Sequence, residues 1–346
     1  MNSKGVTYRR YQSGDEADIV RLFKEVYGHK RSIEHWKWKF KDNVMRKTLI
    51  WLAEDERGHL VAHYAICPVP VQLGETVVMG AQSLDTMVAK DYQRRRLMVT
   101  LARKCYDDAR DAGIDIIYGY PNEKSYSPLV HRLGFSDLGN VKRYELTFST
   151  LSHFPTTSAL RRIGFIGRVI NKLDQIIYPD HTTPLLPSTQ RIQSYSSHYE
   201  SLWERARRGR FGVCRNQGYL NWRYGRFPDY GYLALASLGE GEELEGFIII
   251  GLKNDAGCIA ELMPIGKNVT KVLILAAIRE LKKMGIGKLF GYFLIRQDER
   301  EALKDVGFVE RSSGLVFCVK FLGNTPPENL YSREAWYMSF GDTDGI

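Results

Sequence analysis

Apolar positions along the chain change period several times, and each change predicts an element. Ile19, Val20, Leu22, Phe23, Val26 and Tyr27 recur at helical spacing behind Ser13-Gly-Asp-Glu16, which has capping-box spacing, so a helix is expected to open the fold. Residues 48–53 and 60–66 are dense in strand formers and flank the turn-like Asp55-Glu-Arg-Gly58, which predicts a β-hairpin. A further strand pair is expected after Gly74-Glu75, closed by Gln82-Ser-Leu-Asp-Thr-Met-Val88. The helical period then returns, with Leu97, Met98, Leu101, Ala102, Cys105, Tyr106 and Ala109 on one face as far as Gly113. A strand over 114–120, a short helix over 122–132 and a returning strand from Gly134-Phe135 follow.

The same order recurs. Residues 244–252 and 258–264 predict strands, and Val272, Leu273, Ala276, Ala277, Leu281 and Met284 line one side of a helix. Ala109-Arg-Asp-Ala-Gly113-Ile-Asp-Ile-Ile-Tyr-Gly119-Tyr120 lies beside Leu281-Lys-Lys-Met-Gly285-Ile-Gly-Lys-Leu-Phe-Gly291-Tyr292, and Arg132-Leu-Gly134-Phe135 beside Asp305-Val-Gly307-Phe308. A nearly constant offset in one helix-strand-helix-strand context predicts a duplicated α+β domain with a mixed sheet. The expected layout is a first copy over 1–150, a connecting segment over 151–200 rich in Pro, Ser and Thr, and a second copy over 201–346. A helix of its own is expected over 159–177.

Composition narrows the class. The chain has 346 residues, 44% hydrophobic and 26% charged, enough to bury cores and unlike a disordered sequence. No apolar run approaches the roughly 20 residues of a membrane span, and the first ten residues lack the apolar stretch of a signal peptide. The five cysteines, Cys67, Cys105, Cys214, Cys258 and Cys318, are too far apart for CxxC metal spacing. A cytoplasmic protein without a metal is expected. A formal charge of +9 favours nucleic acid, anionic lipid or a phosphate-bearing small ligand. It comes without a nucleic-acid recognition motif or an extended basic stripe, so no nucleic-acid partner is expected.

The compact basic run Gln93-Arg94-Arg95-Arg96-Leu97-Met98 sits between a strand ending in Met87-Val88 and a long helix. This resembles the acyl-CoA motif of the GNAT superfamily, a strand, a Q/R-x-x-G-x-G/A turn and a helix. The resemblance implies that the turn and helix N-terminus hold the pyrophosphate of coenzyme A, with Arg side chains adding charge-assisted bonds. Arg96 stands where the family has Gly, and Met98 where it has Gly or Ala. Tyr120-Pro-Asn122-Glu-Lys-Ser-Tyr126 before Leu133-Gly134-Phe135 resembles the family's next motif, which implies Asn122 as a contact of the pantetheine arm. Where many relatives carry a Tyr that protonates the departing thiolate, this chain has Val130; Tyr126, one helical turn earlier, is the candidate substitute.

Acyl transfer to an amine needs a group that removes a proton. Asp85, a carboxylate inside an apolar strand, is the first candidate, against a structural salt bridge; His63 on a neighbouring strand is the second, against a hydrogen-bonded core histidine. The second copy has Met263-Pro-Ile-Gly-Lys-Asn268 in place of the turn, so coenzyme A is expected to bind only the first copy. Asn216-Gln-Gly-Tyr-Leu-Asn-Trp222-Arg-Tyr224 and the tail Trp336-Tyr-Met-Ser-Phe-Gly-Asp342-Thr-Asp344 are similar to segments of tandem GNAT-like proteins of surface-polysaccharide clusters. That implies an N-acyltransferase using acetyl-CoA or another short acyl-CoA on a nucleotide-linked amino sugar. A peptide or antibiotic amine and a non-catalytic acyl-CoA-binding or scaffold role are the competing readings.

Overall fold

The computed structural model describes residues 5–148, 189–253 and 255–343. The helix expected over 159–177 lies outside them. A strand that periodicity did not signal comes first, β1 (Val6–Arg10), ahead of helices α1 (Glu16–Tyr27) and α2 (Ile33–Phe40). The capping box does not form. Asp15 caps α1 without a side-chain bond, because the Glu16 carboxylate instead accepts from the Gly14 amide, the Tyr11 hydroxyl and Lys41.

The predicted hairpin is β2 (Leu49–Asp55) with β3 (Leu60–Leu73), and β3 runs on to pair with β4 (Thr76–Val88). Gly74-Glu75 is therefore the tip of one long hairpin rather than the start of a separate strand pair, because residues 67–73 are buried strand that continues past 66. Helix α3 (Leu97–Asp111) buries Leu97, Leu101, Ala102, Cys105, Tyr106 and Ala109 on its predicted face. Strand β5 (Ile116–Gly119) runs parallel to β4; helix α4 (Glu123–Ser127), a π-helical turn over Pro128–Arg132 and β6 (Ser136–Thr147) follow.

The second half contains β7 (Thr189–Arg191), α5 (Ser197–Ala206), β8 (Phe211–Val213), α6 (Gln217–Leu220), β9 (Leu233–Leu238), β10 (Leu244–Lys253), β11 (Ala256–Pro264), α7 (Gly266–Lys283), β12 (Lys288–Phe293), α8 (Gln297–Asp305) and β13 (Val309–Phe321). Gly113 and Gly285, just past α3 and α7, both take the left-handed conformation that lets a helix turn back into its strand, at φ 76° and 74°.

The strands form a single mixed sheet in the order β1-β2-β3-β4-β5-β13-β6-β12-β11-β10-β9-β7, with β8 on β3. Read outward from the antiparallel pair β13/β6, the two arms match: β5 and β12 come next, each parallel to its neighbour β4 or β11. Each half thus places its last strand beside the other half. A large core crosses between them, with Trp38 and Trp222 stacked at 5.2 Å. Each indole nitrogen donates to the other's backbone carbonyl, at 2.8 and 2.9 Å.

Candidate active site

The site begins where β4 breaks register. Ala65 faces Leu84 but His63 faces Met87, so β4 carries one extra residue in a bulge at Asp85, whose φ of 48° is left-handed. Two side chains hold the bulge by its carbonyls: His63 Nδ1–H donates to Asp85 O at 2.7 Å, and the Tyr27 hydroxyl donates to Thr86 O at 3.0 Å. The Asp85 carboxylate is buried between the guanidinium of Arg31 and the ammonium of Lys39, the latter at 3.5 Å. His63 is fully buried, and that burial, helped by Arg31 and Lys39 against the pull of Asp85, pushes its pKa down to about 4.

Pairing between β4 and β5 ends at Ser83 and Gly119, and the two strands then diverge around a cleft of about 1480 Å³. Leu84, Asp85 and Val88 line it from β4, Tyr120 and Asn122 from beyond β5, and Phe340 and Thr343 from the tail. Its far side is the basic turn. Gln93, Arg94, Arg96, Leu97 and Met98 all line the cleft, and Arg94 and Arg96 hold φ of 63° and 61°. Arg96 therefore adopts the backbone that a glycine would take at this place. It is the N-cap of α3 and makes no side-chain cap bond; the first intrahelical amide is Thr100 to Arg96 O at 3.1 Å. The amides of residues 97–99 precede that first bond and lie on the cleft wall, a donor set suited to a phosphate chain. Lys90, Lys124 and Arg132 add positive charge to the lining.

Four expected residues point elsewhere. Arg95 stacks on Tyr92 at 4.7 Å and donates to Asp91 O, so it is not among the lining residues. Met87 is wholly buried on the opposite face of β4, as strand alternation requires. His63, on β3, is fully buried and is not among the lining residues. Tyr126 donates to Asp137 at 2.6 Å, which turns its hydroxyl away from the cleft. Asn122 lines the cleft while its Oδ1 caps α4 by accepting from the amides of Lys124 and Ser125.

Residues 7–137 match the family described as acetyltransferase (GNAT) domain. This part of the chain is similar to a GNAT acetyltransferase domain. The diverging β4 and β5 with the turn before α3 fall within the match. A search of the curated proteins found no relative. Among solved structures, an Enterococcus faecalis V583 protein described as a probable N-acyltransferase superposes with a TM-score of 0.63 at 10% identity, covering 92% of this chain and 72% of that one. A GCN5-related N-acetyltransferase from Kribbella flavida gives 0.61 at 15% identity, covering 92% and 71%. Saccharomyces cerevisiae N-myristoyltransferase with bound myristoyl-CoA gives 0.60 at 12%, covering 92% and 83%. At such identities the likeness is one of fold.

The second half holds a matching carboxylate, with the chain's tail packed at the corresponding place. Counting along the parallel pairs from Ala81 and Gly257 places Glu261 where the GNAT domain has Asp85. Arg215 stands one residue before the Asn216 cap of α6, as Arg31 stands before the Ser32 cap of α2, and it binds Glu261 at 2.6 Å. Here the diverging strands are filled by the chain's own tail. Ser339 and Tyr337 donate to Glu261, Asp342 takes the other end of Arg215 at 2.8 Å, and Phe340 packs on Tyr292 at 4.6 Å. A side chain on Gly341 would fall 1.9 Å from the Tyr224 hydroxyl, so the tail fits only with glycine there.

Proposed function

We propose that the protein transfers an acetyl or other short acyl group from coenzyme A to the amino group of a small molecule, with a nucleotide-linked amino sugar as the acceptor class. The observation that carries the reading is the α3 N-terminus without a side-chain cap, presented by left-handed Arg94 and Arg96 on the cleft between β4 and β5. Those amides, with Arg94, Arg96 and Asn122, would hold the pyrophosphate and the start of the pantetheine arm. Pairing of β4 with β5 ends at Ser83, so the edge of β4 near Val88 faces the cleft, where its backbone amides can stabilise the oxyanion during direct attack by the amine. Asp85 enters as the group that fixes the bulge in β4. A carboxylate between two cations is stabilised as an anion and is a weak proton acceptor. With Tyr126 committed to Asp137, solvent is left to protonate the departing thiolate.

The acceptor class draws support from placement. The Asn216–Tyr224 segment and the tail, which carry the resemblance to polysaccharide-cluster proteins, pack on each other through Arg223 and the carbonyls of Gly341 and Thr343, beside the cleft. A tandem origin for the two halves is supported by the matched arms of the sheet. Thiol release from acetyl-CoA across a panel of amino sugars, amino acids and alkylamines tests the function. Turnover on an amino sugar is the expected result; acetyl-CoA binding with no turnover on any amine would favour a binding module instead.

A further inference from the structure

A small recess opens beside the acyl cleft, on the side where the two halves meet. It has a volume of about 20 Å³ and is lined by His35, Lys39, Gln82, Trp222, Arg223 and Thr343 among others; Gln82, Leu84 and Thr343 line both it and the large cleft. Space of that size accommodates about one water, and polar side chains surround it.

His35 is held there from both halves. Its ring packs edge-on against Trp38 at 5.3 Å and Phe227 at 5.6 Å, and Nδ1 lies 2.7 Å from Asp229 Oδ2. A carboxylate accepts, so Nδ1 carries the proton and Nε2 is left with its lone pair. The charged groups around the ring are Arg31 and Lys39 from its own element and its approach, Asp85 between them on β4, and Asp229 and Arg223 from the second half. Burial, with Lys39 and Arg31, lowers the His35 pKa against the opposing pull of Asp229, which keeps the imidazole neutral near pH 7.

We infer that His35, oriented by Asp229, takes the proton released by the acceptor amine. This rests on the acyl-transfer reading above. The neutral amine forms the new C–N bond with the thioester carbon, the C–S bond breaks, and the thiolate leaves with its electron pair. The proton shed by nitrogen passes through one water in the recess to His35 Nε2 and from there to solvent. The arrangement gives the second half a part in the site: Asp229 and Phe227, which set the tautomer and hold the ring, belong to it.

The test uses the full chain, acetyl-CoA and whichever amine of the panel the wild type acylates. His35→Gln is expected to lower kcat about 100-fold and to remove the acidic limb of its pH profile, with the KM for acetyl-CoA little changed. Asp229→Asn, at a half-exposed side chain, is expected to lower kcat less than His35→Gln does and to move that limb to lower pH, because Asp229 raises the His35 pKa. Should either variant keep the wild-type limb, His35 is a packing residue and the inference is wrong while acyl transfer stands. Should the wild type acylate no amine at all, the functional reading falls and this inference with it.

Discussion

Asp85 and His63 together fix the geometry of the bulge in β4. The Asp85 carboxylate is locked by Arg31 and Lys39, and its carbonyl is locked by His63, so a single residue fixes both the bulge and the way β4 leaves β5. The buried imidazole pays for that bond in acid. Its folded pKa of about 4 lies below the ordinary value near 6.5, so protonation favours the unfolded chain: the contribution is complete above pH 6.5 and is lost as pH falls toward 4. Over that window it amounts to about 3 kcal/mol. Urea unfolding of the wild type and of His63→Gln at pH 7 and pH 4 measures this directly. The wild type is expected to lose about 3 kcal/mol more than the variant between the two values; equal losses would mean that the ring is protonated in place.

At the scale of elements, the α3 N-terminus joins what the sequence displays to what it conceals. Its left-handed N-cap strains any residue with a Cβ by about 1 to 2 kcal/mol, while glycine escapes the strain at an entropic cost of about 0.5 to 1. Arg96→Gly is therefore expected to be about 1 kcal/mol more stable than Arg96→Ala, the reverse of the usual order in helices; denaturant midpoints of the two variants decide it, and Ala above Gly would refute the left-handed cap. The helix, its buried face, the turn and the repeated glycines were legible because their signals are local or periodic. The partners of Asp85 and the His35–Asp229 pair were not, since they join residues 54 and 194 positions apart. One overlooked signal was present: Trp38-Lys-Phe40 and Trp222-Arg-Tyr224 share an aromatic-cation-aromatic pattern, and their reciprocal indole bonds mark where the two halves meet. The Ser13–Glu16 spacing misled because Glu16 has a lysine and a tyrosine as stronger partners than its own helix end.

For the whole molecule, the matched arms of the sheet raise the question of whether the matched clefts both bind coenzyme A. Their contents differ. Between β4 and β5 the diverging strands enclose open space walled by a basic turn, whereas between β11 and β12 the tail supplies Tyr337, Ser339, Phe340 and Asp342 to the same place. The ion pair that anchors this tail, Arg215 with Glu261 and Asp342, is wholly buried, and separating such a pair leaves uncompensated charge in the core at a cost of about 3 to 5 kcal/mol. Binding in the second cleft would have to expel the tail against that cost, which by itself weakens affinity by more than about a hundredfold, since 1.4 kcal/mol is a factor of ten. The helix at that end, α7, also begins after Pro264-Ile265 without an arginine turn. One acetyl-CoA per chain is the expected stoichiometry. Isothermal titration calorimetry of the full chain should give a ratio near one, and replacing Arg94 and Arg96 together by alanine should abolish the measured heat rather than halve it. A ratio of two, or half the heat surviving in the double variant, would show that the tail yields and that the second half is a binding site in its own right.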